Sequence, residues 1–131
     1  ATLRLNNVNK NLFIKDLNKQ KKIRTVKVKH GKVQSICYII DKKLAYISDA
    51  NAIFEEDYKK LKNLKYLVID CLKFNRHPSH FNFEEAIIIS QKIKPKKTIL
   101  TNLHSDMDYN FIKKSLPKNI FPAFDGMILK I

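Results

Sequence analysis

Short apolar segments of strand length recur along this chain, each bounded by polar residues. Residues 25–29 alternate strictly between polar and apolar, and residues 66–69 are almost continuously apolar, patterns that favour a half-exposed and a buried β-strand respectively. Four polar residues stand at the ends of such segments or in the loops just after them: His30, Asp49, His80 and His104. Because open α/β sheets usually bind ligands in the loops at the carboxyl ends of their strands, these four are candidate site residues.

The periodicity along the rest of the chain predicts several strands first, and then strands that alternate with helices. Further strands are expected over residues 12–15, 33–40 and 44–48, around Thr98, and over residues 127–131. Helices are expected over residues 54–64, 83–94 and 108–116. This order is typical of an α/β layered domain whose loops cluster at the strand ends.

The length of 131 residues is that of one domain, and a hydrophobic content of 44% is enough for a core. The apolar runs are far shorter than the roughly 20 residues of a membrane helix. No apolar stretch typical of a secretory signal follows Ala1. Cys37 and Cys71 stand alone in apolar surroundings, so we expect two reduced core thiols in a cytoplasmic protein with no membrane partner.

The formal net charge of +14 makes nucleic acid a candidate partner. The basic residues are nearly all lysine, with arginine only at positions 4, 24 and 76. Because the planar guanidinium group is the usual reader of base edges, this scarcity of arginine weakens a nucleic-acid function. The excess of lysine fits the coding bias of an AT-rich genome and the need for solubility equally well, so both explanations stay open.

The polar residues at the strand ends allow two interpretations. Two or three imidazoles and a carboxylate, each from a different strand end, suit a first-row metal such as zinc. The chain has no His-x-His or Cys-x-x-Cys pair, however, and its spacing alone does not require a metal. Asp49 would serve equally well as the cap of a following helix, and His104 would serve equally well as a solvated loop side chain.

An ordered set of short motifs gives a more specific indication. In chain order they are Lys29-His30-Gly31, Leu44-Ala45-Tyr46-Ile47-Ser48-Asp49, Leu67-Val68-Ile69-Asp70-Cys71-Leu72, His77-Pro78-Ser79-His80, Thr101-Asn102-Leu103-His104-Ser105-Asp106-Met107-Asp108-Tyr109, Leu116-Pro117 and Phe124-Asp125-Gly126-Met127. From about Thr25 onward, this series resembles the C-terminal half of metallo-β-lactamase-fold hydrolases. The branch it resembles comprises phosphodiesterases similar to the cyclic-phosphate phosphodiesterase of phosphonate breakdown, which are related to the tRNA 3′-processing nucleases. The resemblance implies an α/β chain that forms the C-terminal half of a four-layer αββα metallo-β-lactamase fold, with residues 1–131 as a single partial domain.

The same resemblance implies a role for each candidate residue. His30 matches the histidine that completes the shell of a first metal, Asp49 the aspartate that bridges two metals, and His104 the terminal histidine of the second metal. His80 matches the histidine that donates a proton to the leaving oxygen, whereas His77 matches no functional position and is expected to be a bystander. The implied cofactors are two divalent ions, zinc or manganese, and the implied substrate is a small-molecule phosphodiester.

One departure from the family pattern bears on activity. The family's His-x-His-x-Asp-His motif lies in its N-terminal half and has no counterpart in this sequence, so we expect a fragment of a longer protein. The isolated chain is expected to bind metal weakly or not at all and to hydrolyse phosphodiesters at a trace rate. An apolar sheet face would stay uncovered, with Val68, Ile69, Ile99 and Leu100 as its candidate residues, which favours a dimer or a packed partner.

Two other functions remain open from the sequence. A non-catalytic half-domain would keep the fold and bind anions or a partner. A nuclease that processes nucleic acid would account for the positive charge, although no RNA-binding arm is recognisable. Metal titration separates the hydrolase from the non-catalytic half-domain.

Overall fold

The computed structural model of this chain describes residues 12–16 and 19–131, and for residues 12–20 it describes the backbone alone. The strands are β1 Leu12–Asp16, β2 Lys19–His30, β3 Val33–Ile40, β4 Leu44–Ile47, β5 Ala52–Ile53, β6 Tyr66–Asp70, β7 Lys97–Thr101 and β8 Ile120–Pro122. The helices are a 3₁₀ helix Glu55–Leu61, α1 Phe83–Ile93 and α2 Tyr109–Ser115. The polar residues 16–20 predict a turn, and the middle of this turn, residues 17–18, lies outside the described residues.

The strands form one mixed sheet in the order β1-β2-β3-β4-β6-β7-β8, and β5 pairs with β2. The pairs from β1 to β4 are antiparallel, whereas β4, β6, β7 and β8 are parallel to one another. Because β2 and β4 are both antiparallel to β3, they run in the same direction. The carboxyl ends of β2, β4, β6 and β7 therefore lie along one edge of the sheet, where the candidate site residues were expected.

The helices cover one face of the sheet, and the main core lies between them and the strands. Leu67 and Ile69 of β6 and Leu100 of β7 belong to this core together with Ala86 of α1 and Ile112 of α2, and all five are fully buried. Successive side chains of a strand face opposite sides of the sheet. The expectation that Ile69 and Leu100 lie on the uncovered face is therefore wrong, because both pack under the helices.

A second, smaller cluster occupies the opposite face of the sheet. Val68 of β6 and Ile99 of β7 lie in it with Leu44 of β4, as the alternation along the strands requires. The C-terminal segment supplies Met127 and Leu129, which pack against the same cluster. Val68 and Ile99 thus lie on the face to which the sequence assigned them.

This second face is only partly covered. An open, mostly apolar groove of about 620 Å³ remains between the strands and the C-terminal segment. Tyr38 of β3 and Tyr46 of β4 line the groove and are 40% and 41% exposed. Apolar area of this kind on an otherwise charged chain marks a surface that favours a packing partner.

The C-terminal strand expected over residues 127–131 is not formed. The parallel edge strand is instead β8, and after it the chain turns, with the Met127 amide donating to the Phe124 carbonyl at 3.0 Å. Beyond the turn the backbone joins no strand, although the Lys65 ammonium donates to the Lys130 carbonyl at 2.8 Å. Alternating apolar residues here serve to cover a sheet face rather than to extend the sheet.

The three helices lie close to their expected positions. The expected helix over residues 54–64 is a 3₁₀ helix that follows the short strand β5, and its first bond joins the Asp57 amide to the Phe54 carbonyl at 2.9 Å. Helix α1 starts at a complete capping box, in which Asn82 accepts from the Glu85 amide and the Glu85 carboxylate accepts from the Asn82 amide. Among the described residues, no helix has the length and apolarity that crossing a membrane requires.

The two cysteines are core residues, as expected. Cys37 and Cys71 are free and fully buried. Burial raises the pKa of each thiol to about 12, which keeps both protonated and unreactive near neutral pH.

Candidate metal-dependent site

Two imidazoles and a carboxylate converge at the edge of the sheet where β2, β4 and β6 end. His30 is the last residue of β2, Asp49 follows β4, and His80 lies in the loop between β6 and α1. One candidate ligand atom from each of the three lies within 4.8 Å of the others. The histidines are partly buried and the aspartate is exposed, so the group faces solvent from the rim of the sheet.

The ring of His30 is held by a backbone carbonyl. Its Nδ1 lies 2.8 Å from the carbonyl oxygen of Ser79, and because a carbonyl only accepts, Nδ1 must carry the hydrogen. The remaining nitrogen, Nε2, then keeps a free lone pair in the neutral ring. This is the arrangement usual for a metal-binding histidine, whose second nitrogen donates to a carbonyl or carboxylate.

The ring of His80 is held by a buried carboxylate instead. Its Nδ1 lies 2.6 Å from Oδ2 of Asp70, the last residue of β6, which is fully buried. The same carboxylate accepts from the Ala50 amide at 3.0 Å and from the side-chain amide of Asn102 at 3.0 Å. A carboxylate on Nδ1 fixes the orientation of the ring and leaves Nε2 available to give a proton or to hold a metal.

Asp49 adopts a conformation that few side chains adopt. Its φ is 52°, in the left-handed region, which aspartate tolerates better than most residues other than glycine. The Ser48 hydroxyl lies 3.3 Å from its carboxylate. Backbone strain of this kind clusters at functional sites, where it aims a side chain.

Asn51 ties together the segments that carry the two histidines. It accepts from the Gly31 amide at 2.9 Å, next to His30, and donates to the Pro78 carbonyl at 3.1 Å, two residues before His80. The Asn51 side chain thereby links the end of β2 to the loop after β6 and fixes the distance between them.

Gly31 is required at its position for two reasons, and both predict a loss of stability on substitution. Its φ is +61°, and a Cβ there would meet the Ser79 Cβ at 3.2 Å. Gly31→Ala is expected to lower the free energy of unfolding by about 2 kcal/mol in urea denaturation followed by circular dichroism. Gly126→Ala is the matched control, because its φ is +85° with nothing within 4 Å of a built Cβ, and it should cost about half as much. Equal losses would show that the approach to Ser79 contributes nothing.

The structure brings His30, Asp49 and His80 together but leaves His104 outside this group. His104 lies in the loop after β7, with its Nδ1 3.1 Å from the Asp106 carboxylate. Its assignment as the terminal histidine of a second metal stays a prediction. His77 lies beside the group, with its ring centroid 5.1 Å from that of His80. Partial desolvation and the neighbouring His80 lower the pKa of His77 below its usual value.

Sequence reasoning missed the residues that support the group. Asp70 and Asn102 were expected only as members of two of the motifs, without a role of their own. A signal for Asp70 was present, since an aspartate within a buried parallel strand is rarely left without a partner. Asn102 carried no comparable signal, because only the fold brings the end of β7 beside that of β6.

The donor set fits a divalent metal. Two imidazoles with oriented Nδ1 atoms and one carboxylate are the ligand types that zinc, manganese and iron share in hydrolytic and related sites. A catalytic zinc usually has about three protein ligands and an open position. The sequence led us to expect three ligands, His30, Asp49 and His104, and the group in the structure also has three members, with His80 in place of His104.

Comparison of the sequence with protein-family models and with curated proteins gives no match. Solved structures do match. A diphosphatase from the PhnP family is 28% identical over 91% of this chain, with a TM-score of 0.83. The metallo-β-lactamase fold protein YhfI from Bacillus subtilis is 17% identical over 92%, with a TM-score of 0.73. The short form of human tRNase Z is 13% identical over 92%, with a TM-score of 0.69.

The chain spans about half the length of these structures: it covers 46%, 52% and 46% of the diphosphatase, YhfI and tRNase Z chains respectively. The one sheet layer and one helix layer described above are one side of a four-layer αββα arrangement. The fold class expected from the sequence is confirmed, as is the resemblance to the PhnP branch. The chain therefore has the fold of the C-terminal half of a metallo-β-lactamase-fold hydrolase and resembles the PhnP-family branch of that fold.

Proposed function

We propose that this chain belongs to a metal-dependent phosphodiesterase and supplies one side of its active site. The observation that carries the proposal is the convergence of Asp49, His30 and His80 at one edge of the sheet, with a buried carboxylate behind His80. The PhnP-family protein is a diphosphatase and the human protein a tRNase, so both act on phosphate linkages. The substrate that we propose for the enzyme to which this chain belongs is a small-molecule phosphodiester.

Within this proposal, His30 and Asp49 hold metal, and His80 is the proton donor. A bound divalent ion would polarise the phosphate oxygens and lower the pKa of a water molecule. Hydrolysis adds that water across the P–O bond: the water oxygen bonds to phosphorus and the bond to the leaving oxygen breaks. The leaving oxygen takes the proton of His80 Nε2, and the proton released by the attacking water restores His80 for the next turnover. Asp70 stabilises the charged imidazole while it holds that proton.

Metal removal tests this function in the protein as its native cell makes it. Prolonged dialysis against a chelator is expected to reduce hydrolysis of bis(p-nitrophenyl) phosphate by at least about 100-fold, because catalysis of this kind depends on the ion. Added zinc or manganese should restore the rate, and added calcium should not, because its preference for six to eight oxygen ligands does not fit a site with an imidazole ligand. Full activity after chelation, confirmed free of metal by elemental analysis, would contradict the proposal.

The open groove favours a second candidate function. A mostly apolar groove of about 620 Å³, bordered by exposed Tyr38 and Tyr46, is suited to packing against another sheet. A non-catalytic half-domain would use this face to bind its partner and would need no metal. The dialysis experiment separates the two functions, since this alternative predicts a native protein that contains no metal and has no turnover but stays associated with a partner.

A further inference from the structure

Asn102 reaches the centre of the site from the end of β7. Its side-chain Nδ2 donates to Oδ1 of Asp70 at 3.0 Å and lies 3.4 Å from Nδ1 of His80. Its φ is 61°, in the left-handed region that asparagine tolerates better than most side chains. Two explanations are therefore available: the residue serves the turn alone, or it also serves the carboxylate.

The two oxygens of the Asp70 carboxylate accept hydrogen bonds from different donors. Oδ2 receives the Ala50 amide at 3.0 Å and Nδ1 of His80 at 2.6 Å, whereas Oδ1 receives Asn102. Because Nδ1 of His80 carries its hydrogen toward Oδ2, its approach to the Asn102 amide brings two donors together and is not a hydrogen bond. Asn102 thus acts on His80 only through Asp70.

We propose that Asn102 is a positioning residue, which holds the Asp70 carboxylate in the orientation that aims His80 at the leaving oxygen. The proposal rests on the function proposed above. Hydrogen-bond donors on both oxygens prevent the carboxylate from rotating about its Cβ–Cγ bond. The His80 ring, which is hydrogen-bonded to the carboxylate, therefore keeps one orientation. A donor on Oδ1 also keeps Oδ2 turned toward Nδ1 of His80.

Asn102→Gly tests the proposal without disturbing the turn, because glycine adopts positive φ freely. The native protein carrying this change should hydrolyse a dinucleoside monophosphate about 10-fold more slowly at unchanged KM, since its alkoxide leaving group needs the proton. Hydrolysis of bis(p-nitrophenyl) phosphate should stay within about 3-fold, because nitrophenolate leaves without one. Asn63→Gly is the matched control, an exposed asparagine with φ 60°, and should change neither rate.

A double-mutant cycle shows whether the effect passes through His80. In a His80→Ala background, Asn102→Gly should cost no further activity on the dinucleoside monophosphate, because there is no longer a ring to position. Equal losses on both substrates, or the same 10-fold loss with and without His80, would overturn the proposal and leave Asn102 as a turn residue.

An independent readout uses the 131-residue chain alone. In ¹⁵N-labelled protein, the exchange of the His80 Nδ1 proton with water is expected to accelerate by at least about 10-fold in Asn102→Gly and to stay unchanged in Asn63→Gly. Unchanged exchange in Asn102→Gly would overturn the positioning role. If the native protein hydrolyses no phosphodiester, the proposed function fails, while the exchange measurement still decides whether Asn102 holds the Asp70–His80 pair.

Discussion

Replacing His80 with alanine in the native protein is expected to slow hydrolysis of a dinucleoside monophosphate by about 10²–10⁴-fold. The alkoxide that leaves is a strong base and needs a proton as the P–O bond breaks. His80 is equipped to give one, because the buried Asp70 carboxylate holds its Nδ1 at 2.6 Å. The same change should cost much less with bis(p-nitrophenyl) phosphate. Metal content should stay at the wild-type value, which separates a proton donor from a ligand.

His77→Ala is the matched control for this experiment. His77 lies in the same loop, with its ring centroid 5.1 Å from that of His80, but its Nδ1 lies near the Ser79 hydroxyl at 3.3 Å rather than a buried carboxylate. Its removal should leave turnover within about 3-fold, because its Nδ1 contacts the amide and hydroxyl of Ser79 and not a buried carboxylate that would orient the ring for proton transfer. Equal losses in the two variants would mean that the proton donor has been assigned to the wrong histidine.

The strands and the edge of the sheet could be predicted because local patterns determine them. A continuously apolar run such as residues 66–69 specifies a buried parallel strand. The polar residue that follows it then lies at the end of that strand, whatever position the strand has in the sheet. Asn82 and Glu85 specify the start of α1 by a capping box that is local in sequence. For this reason β6, β7 and α1 lie close to their expected bounds.

The remaining differences arise where tertiary contacts decide the structure. Residues 127–131 alternate like a strand, but no strand edge within residues 12–16 and 19–131 binds their backbone, and their apolar side chains cover the open face instead. The alternation also could not say which of Val68 and Ile69 faces the helices, since both faces of this sheet are apolar. Periodicity specifies that the side chains of two neighbouring residues face opposite sides of the sheet. Packing decides which side each of them faces.

The candidate site was predictable only in part, and the roles assigned to its residues stay predictions. Resemblance to a family selected His30, Asp49, His80 and His104, of which the structure brings the first three within 4.8 Å of one another and leaves His104 outside the group. It did not select Asp70 or Asn102, because their role depends on hydrogen bonds between residues 10 to 32 apart in sequence. The spacing of residues along the sequence does not reveal hydrogen bonds that only the folded structure forms.

Asp49→Ala is expected to abolish metal-dependent turnover, with a loss of at least about 10³-fold on bis(p-nitrophenyl) phosphate. Its carboxylate is the only acidic member of the group formed with His30 and His80, and the resemblance assigns it to both metals. The neutral imidazole of His30 alone offers a divalent ion no compensating charge. Because alanine at positive φ is strained, the loss must be separated from a general effect on the backbone.

Asp41→Ala is the control for this backbone effect, because the φ of Asp41 is 50°, close to the 52° of Asp49. It lies in the turn between β3 and β4, where it pairs with Lys21 at 3.0 Å and accepts from the Lys22 amide at 2.9 Å. These two partners hold the pKa of Asp41 below its usual value, so its removal should cost some stability. It should leave both turnover and metal content unchanged.

The metal content of the native protein, measured by elemental mass spectrometry after exhaustive desalting, tests the central claim most directly. Wild type and Asp41→Ala should each retain about two divalent ions per chain, and Asp49→Ala should retain fewer than about one, because a bridging carboxylate serves both ions. Wild-type metal content in Asp49→Ala, or a wild-type protein that holds no divalent metal, would contradict the assignment of this edge of the sheet as a metal-dependent hydrolytic site.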